Sequence, residues 1–163
     1  MKKKFGPIWV ILLVVLDQIT KYWARTSLQE NGPIDVIKDV FSFEYTTNEG
    51  IAFGLFQNKF FIFVIFTIII LAALAFFYYR LPDEKRYRPL QITMIFIAAG
   101  AIGNMIDRVF LNYVVDFLYF NLIDFPIFNV ADCYVTVAMI VLCFLLLFYY
   151  KEEELEFYKR GKK

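Results

Sequence analysis

The sequence contains no histidine. That absence removes Ser-His-Asp and Cys-His nucleophilic catalysis, the HExxH metalloproteases and any His-ligated metal site. Cysteine is scarce as well. Cys133 and Cys143 lie ten residues apart in one apolar run. On a helix they would sit ~15 Å apart, too far for a disulfide, so they read as buried apolar residues. Charge of one sign is also lacking: the net charge is +1, which gives no broad basic field for nucleic acid. Apolar residues, in contrast, make up 60% of 163 residues, aromatics make up 20%, and the mean hydropathy is +0.57. A soluble domain of this size cannot bury so much apolar surface, and intrinsic disorder is excluded by the same figures.

The apolar residues fall into long runs. Phe60–Tyr79, Leu90–Ile106 and Cys133–Tyr150 carry no charge, and a helix of ~20 such residues spans the hydrocarbon core. A fourth run, Pro7–Trp23, is interrupted by Asp17 and Lys21. Its Lys2-Lys3-Lys4 start is like that of a signal peptide, but the run ends in Asp-Gln rather than in small residues, so it reads as a retained span. The expected fold is a membrane all-α protein with four transmembrane helices, roughly 7–25, 60–80, 90–108 and 131–150.

Basic residues collect in the N-terminus, in the 80–89 connection (Arg80, Lys85, Arg86, Arg88) and in the tail (Lys151, Lys159, Arg160, Lys162, Lys163). The opposite loops, about 26–59 and 109–130, hold only Lys38 and Lys59. The positive-inside rule therefore puts both termini in the cytoplasm and these two loops outside. In the first outer loop, Asn31-Gly32-Pro33 signals a turn, and Phe41–Thr46 alternates with the period of a strand. Val114–Phe120, aromatic and β-branched, either pairs with it or lies on the membrane surface. A small extracytoplasmic β-sheet with a membrane-surface loop or helix is the expectation. The segment 151–163 reads as a charged cytoplasmic tail.

Polar residues inside the apolar runs are the candidates for function, because a charge near the bilayer centre costs ~2.5–3.5 kcal/mol on insertion scales. Asp17 and Lys21 stand one helical turn apart, which suits an ion pair that holds helix 1 to its neighbours or supports a site. Asn48, Gly50 and Gly54 follow the strand, either as a turn into helix 2 or as a loop that shapes a groove. Gly100, Gly103, Asn104 and Asp107 fall on one helical stripe, which is a packing seam or a polar cluster, with Arg108 beside it. Asp116 and Asp132 lie in apolar contexts at the outer boundary, with Asn129 three residues before Asp132. Singly, Asp132 reads as an N-cap or a first-turn acid that stabilises a helix dipole, and Asp116 as a solvated turn acid. Together they would share one proton and activate water against a carbonyl, with neither metal nor cofactor. Read from the residues alone, an ion path through Asp17, Asp107, Asp116 and Asp132 and a non-catalytic membrane scaffold stay open beside the enzyme.

The ordered set Asp17-x-x-x-Lys21, Asn48-x-Gly50-x-Ala52-Phe53-Gly54, Gly103-Asn104-x-x-Asp107-Arg108, Val115-Asp116-Phe117 and Phe128-Asn129-x-Ala131-Asp132 resembles bacterial lipoprotein signal peptidase, also called signal peptidase II. One departure is Ala99-Gly100, where the family usually has a Gly-Gly pair. The resemblance implies an intramembrane aspartyl endopeptidase of the bacterial cell (inner) membrane. Such an enzyme removes the signal peptide from diacylglyceryl-modified prolipoproteins just before the lipidated cysteine. It implies that Asp116 and Asp132 are the catalytic dyad. Asp17, Lys21, Asn48, Gly50, Gly54, Asn104, Asp107, Arg108 and Asn129 would support the site or hold substrate. It further implies inhibition by globomycin-type cyclic peptides and a single peptidase domain over residues 1–150. No feature of the sequence points to a dimer, so a monomer is expected.

Overall fold

A computed structural model of the chain describes residues 3–50 and 60–157. Four helices in it are long and apolar enough to cross a membrane, which makes this a multi-pass membrane protein. Helix α1 (Gly6–Trp23) starts with Pro7 in its first turn, where a missing N–H costs nothing. It does not stop near residue 25 as expected. A wider π-turn, Ala24–Leu28, carries it on to Asn31, so the first outer loop begins later than the charge pattern indicated. Helix α2 is Phe60–Arg80 and α3 is Arg88–Leu111. α3 ends where Asn112 adopts a left-handed conformation (φ 66°) and its N–H closes on the Arg108 carbonyl, an αL cap that no apolar pattern announces. Helix α4 (Val130–Phe144) also relaxes into a π-turn, Leu145–Tyr149.

α3 is the central helix, and α1, α2 and α4 each pack against it. Small residues explain why. A Cβ on Gly100 would lie 2.5 Å from the Ala131 carbonyl oxygen, and one on Gly103 would lie 2.5 Å from Asp17 Oδ2. Only glycine lets α4 and α1 approach this closely, as small residues do in lipid. The outward faces, such as Ile65, Phe66 and Ile69 on α2, Ile140 on α4 and Leu147 in the π-turn after it, remain exposed and suit a hydrocarbon solvent. Cys143 is exposed on this surface and Cys133 is half-buried, so the reading of both as buried residues is corrected.

Three strands form one antiparallel sheet in the order β1-β2-β3: Ile34–Ile37, Phe41–Asn48 and Val114–Tyr119. The expected strand is present and runs two residues further, and Val114–Tyr119 pairs with it. β1 went unread because its four residues are all exposed and so carry no burial alternation. Gly32 before it has φ +84°, the conformation its turn signal calls for. Trp23, Phe43 and Phe117 stack edge-on where α1 meets the sheet, while Val115 and Phe117 bury against Ala24 and Leu28.

The first and last described segments, around Lys3 and Glu152–Phe157, and the α2–α3 connection gather at the other end of the bundle. The Lys3 ammonium donates to the Tyr79 and Leu81 carbonyls, and the Tyr78 hydroxyl donates to the Lys3 carbonyl. The tail is more than a solvated extension. After a break at Tyr150, a short helix α5 (Glu152–Leu155) turns back. Phe157 then packs on Tyr87, which stacks on Tyr150, and Arg86 pairs with Glu154 at 2.8 Å.

Candidate active site

Asp116 occupies the middle of β3, opposite Thr46 of β2. The pleat turns Val115 and Phe117 into the aromatic cluster under the sheet, and so turns Asp116 to the other face. Asn48 lies two residues beyond Thr46 on β2, which makes it the diagonal neighbour of Asp116. Its Nδ2 donates to Asp116 Oδ2 at 3.0 Å, while its Oδ1 accepts from the Gly50 N–H at 3.0 Å, which fixes the amide's orientation. Gly50 does not use positive φ; among the described glycines only Gly32 does.

The 15 residues between the two aspartates close into a loop. Phe128 pairs with Leu118: the Phe128 N–H donates to the Leu118 carbonyl at 3.0 Å, and the Leu118 N–H donates back at 2.8 Å. This bridge sets Asn129, the N-cap of α4, beside Asp116. The Asn129 side-chain amide donates to Asp116 Oδ1 at 2.6 Å. Its Oδ1 accepts from the Asp132 N–H at 3.0 Å, and its own backbone N–H donates to Asp132 Oδ2 at 3.1 Å. That reciprocal pair is a capping box in which Asn129 is the N-cap and Asp132 is the acid of the first turn, not the N-cap, and Asp132 also faces the site. One asparagine thus contacts both carboxylates. The remaining Asp132 oxygen, Oδ1, accepts from Asn104 Nδ2 on α3 at 2.7 Å.

Behind Asn104 lies a buried ionic network. Lys21 donates to Asn104 Oδ1 at 2.8 Å and pairs with Asp17 at 3.0 Å and with Asp107 at 3.1 Å, using all three ammonium protons. Asp17 Oδ1 accepts the otherwise orphaned Ala131 N–H in the first turn of α4, and Asp107 Oδ2 accepts the Val115 N–H of β3. The expected i,i+4 pair is therefore real, and it is only half of the arrangement. Gln18 escaped the sequence reading: its Nε2 lies within 3.3 Å of Asp17 Oδ2, the Gly103 carbonyl and Asp107 Oδ1. Its adjacency to Asp17 was the one available signal.

Arg108 does not pair with its neighbour Asp107. Its guanidinium turns back toward the Asn104 carbonyl (3.3 Å) and the Gly50 carbonyl (3.5 Å) and lies 4.9 Å from the centre of the Phe63 ring. Gly54, with Ala52 and Phe53 of the same motif, lies outside the described residues. All the other predicted site residues come together at the sheet-side ends of α1, α3 and α4.

Electrostatics distinguish one member. Burial, and then the nearby charge of Asp132, push the Asp116 carboxyl up to about 6, against the opposing pull of the Asn48 and Asn129 amides. Asp116 is 2% exposed, so desolvation is the larger cause. A carboxyl group whose ionisation is disfavoured by burial and by a neighbouring carboxylate, with both groups held by fixed amide donors, forms an arrangement suited to shared-proton acid–base chemistry.

Comparison with known proteins identifies a family for the chain. A family model described as "Signal peptidase (SPase) II" matches residues 9–148. The "Lipoprotein signal peptidase" of Streptococcus thermophilus is 40% identical over 153 residues, covering 94% of this chain and 97% of its own. That of Clostridium novyi is 40% identical over 141 residues, covering 85% and 94%. A solved structure described as "Bacterial membrane enzyme structure by the in meso method at 2.3 A resolution" superposes with a TM-score of 0.80 at 34% identity, covering 93% of this chain and 97% of that one. The chain belongs to the signal peptidase II family.

Proposed function

We propose that this protein is an aspartyl lipoprotein signal peptidase. It would cleave diacylglyceryl-modified prolipoproteins just before the lipidated cysteine, at the outer boundary of a bacterial inner or sole cell membrane. The observation that carries the reading is Asn129, whose single side chain and backbone contact both Asp116 and Asp132. In this reading Asp116 holds the shared proton, consistent with its raised value, and Asp132 is the base. Asp132 takes a proton from water, and the new hydroxide-like oxygen attacks the scissile carbonyl carbon. Asp116 hydrogen-bonds the carbonyl oxygen as charge develops there. The C–N bond then breaks, the leaving cysteine amine takes up a proton from the dyad, and the signal peptide departs as a carboxylate. Both bases and acids are side chains of the chain itself, so no cofactor enters the reaction.

The supporting residues receive roles from their contacts. Asn48 and Asn104 hold the outer oxygens of the two carboxylates, Lys21 with Asp17 and Asp107 fixes Asn104, and Arg108 keeps a cation beside the dyad. Gly50 and Gly54 shape the substrate-facing loop. The basic residues at the opposite end support an orientation with both termini in the cytoplasm and the sheet outside. There the acyl chains of the substrate stay in lipid while the scissile bond meets water. Residues 1–150 act as one peptidase unit, working as a monomer, with 151–163 as a cytoplasmic tail. A globomycin-type cyclic peptide would block the substrate site. The test is cleavage of a diacylglyceryl-modified lipobox peptide by purified protein, read by mass spectrometry. The expected products part just before the cysteine and vanish with globomycin; cleavage elsewhere, or of the unlipidated peptide equally well, would overturn the assignment.

The raised Asp116 carboxyl also predicts a stability effect. Its folded value, about 6, exceeds the unfolded value of about 4, so its contribution is fully present below pH ~4 and is lost as pH rises through ~6. The wild type should lose on the order of 3 kcal/mol across that window relative to Asp116→Asn, which has no such proton to lose. Melting temperatures of the two proteins measured from pH 4 to pH 7.5 should therefore diverge in favour of the variant; parallel curves would refute the buried-carboxyl reading.

A further inference from the structure

Beyond the carboxylate pair, α1 and α3 enclose a second hollow, a groove of about 370 Å³ lined by Lys21, Tyr22, Arg25, Asp107, Phe110 and Val115 among others. It lies at the sheet end of the bundle, one helical turn past the Asp17–Lys21 pair. We propose that this groove binds the headgroup of an anionic phospholipid, with its phosphate on the Arg25 guanidinium and its acyl chains along Tyr22 and Phe110.

Four observations lead there. First, Arg25 has no ion pair among the described residues; its guanidinium lies 5.9 Å from the centre of the Tyr22 ring, and Tyr45 of β2 is near enough to feel its charge. The segments outside the description, 1–2, 51–59 and 158–163, contain no Asp or Glu that could supply one. Second, the neighbouring charges are already satisfied. Lys21 spends its three protons on Asp17, Asp107 and Asn104, and the Asp107 oxygens accept from Gln18, Lys21 and the Val115 N–H. Among the described residues that line it, the groove therefore offers one free cation and no free carboxylate. That favours an anionic headgroup over a zwitterionic one, whose positive end would meet the Arg25 cation and no free carboxylate. Third, the rim suits a lipid: Phe110 is 77% exposed and Tyr22 is 62% exposed, both beside the groove. Fourth, the depth is right. Arg25 follows the whole apolar length of α1, which puts its guanidinium at headgroup level, where a fork of N–H donors takes a phosphate bidentately. The volume fits a glycerophosphate headgroup and is at the small end of ligand sites.

The experiment uses the full chain in detergent with phosphatidylglycerol, phosphatidylcholine or inorganic phosphate added, and counts retained molecules by native mass spectrometry. The wild type should retain one phosphatidylglycerol about tenfold more tightly than phosphatidylcholine. Arg25→Gln should lose about tenfold of that affinity, Arg25→Lys should keep more of it than Arg25→Gln, and Lys38→Gln on the β1–β2 turn should match the wild type. Equal retention of the two lipids by wild type, or displacement of phosphatidylglycerol by equimolar inorganic phosphate, would overturn the proposal without any variant. So would an unchanged affinity in Arg25→Gln whose melting temperature shows it to be folded. Should Arg25→Gln not fold, Arg25→Lys against wild type decides: affinity lower than wild type supports a phosphate on the guanidinium, and unchanged selectivity with unchanged affinity overturns it.

Discussion

Replacing either Asp116 or Asp132 by asparagine is expected to lower cleavage of the lipidated peptide by about 10⁴-fold or more, the scale on which general acid–base catalysis and charge stabilisation act together. The two losses should be comparable, because the residues work as one proton-sharing unit, and the double variant should fall little further. Asparagine preserves the volume of both side chains, so the packing of Asp116 between β2 and α4 and of Asp132 in the capping box is disturbed only locally. In Asp132→Asn the new amide keeps an oxygen to accept from Asn104 or from the Asn129 N–H, at about 1 kcal/mol for the bond it loses. The variants should therefore melt as single folded species, and Asp116→Asn should gain stability near neutral pH. EDTA should leave wild-type cleavage unchanged. A folded Asp116→Asn or Asp132→Asn protein that still turns over at near wild-type rate would take that residue out of the chemistry. It would also return attention to the ion-path reading, which predicts ion flux in liposomes even with both positions neutral.

Lys21→Met should be the most destabilising single change in the membrane-embedded part of the protein. Asp17 is 0% exposed and Asp107 is 2% exposed, and Lys21 is the cation that pairs with both. Removing one partner from a buried ionic cluster leaves uncompensated charge, typically at a cost of ~3–5 kcal/mol. For a chain of this size that corresponds to a fall in Tm of about 10 °C, or to failure to accumulate folded protein. Neutralising the stranded acids as well, in Asp17→Asn/Lys21→Met/Asp107→Asn, should restore most of the stability, because well-packed neutral side chains replace buried ion pairs at little cost. Activity should not return with it. Lys21 also holds Asn104 Oδ1, and without that bond the amide that meets Asp132 at 2.7 Å is free to turn away. A lysine variant with wild-type Tm, or a triple variant with wild-type kcat, would show that the network neither stabilises the bundle nor positions the site.

The legibility of this protein divides along a physical line. The four spans could be read because hydrophobicity over ~20 residues is a property of the chain itself. The Asp17–Lys21 pair could be read because i,i+4 spacing makes a contact inside one helix, and Asp132 could be read as the acid of a first helical turn, whereas the capping role of Asn129 went unread. The alternation of Phe41–Thr46 announced a strand, and the stripe from Gly100 to Asp107 announced a seam. Where local signals were weak, the reading fell short. The π-turn that extends α1 to Asn31 and the fully exposed β1 leave no periodic trace.

The rest required the tertiary structure. Two aspartates 16 residues apart say nothing of their distance until the Leu118–Phe128 pairing folds the intervening loop and lays Asn129 against β3. Lys21's second partner on α3, the Ala131 N–H that meets Asp17, and the raised carboxyl of Asp116 all arise from contacts between elements. The sequence by itself determined which segments enter the membrane, which residues are polar there, and which neighbours within a helix could satisfy one another, since periodicity and hydropathy are local. Only the tertiary structure decided which of those polar groups meet across helices and strands, because hydrogen bonds and desolvation between elements depend on packing that has no period in the chain.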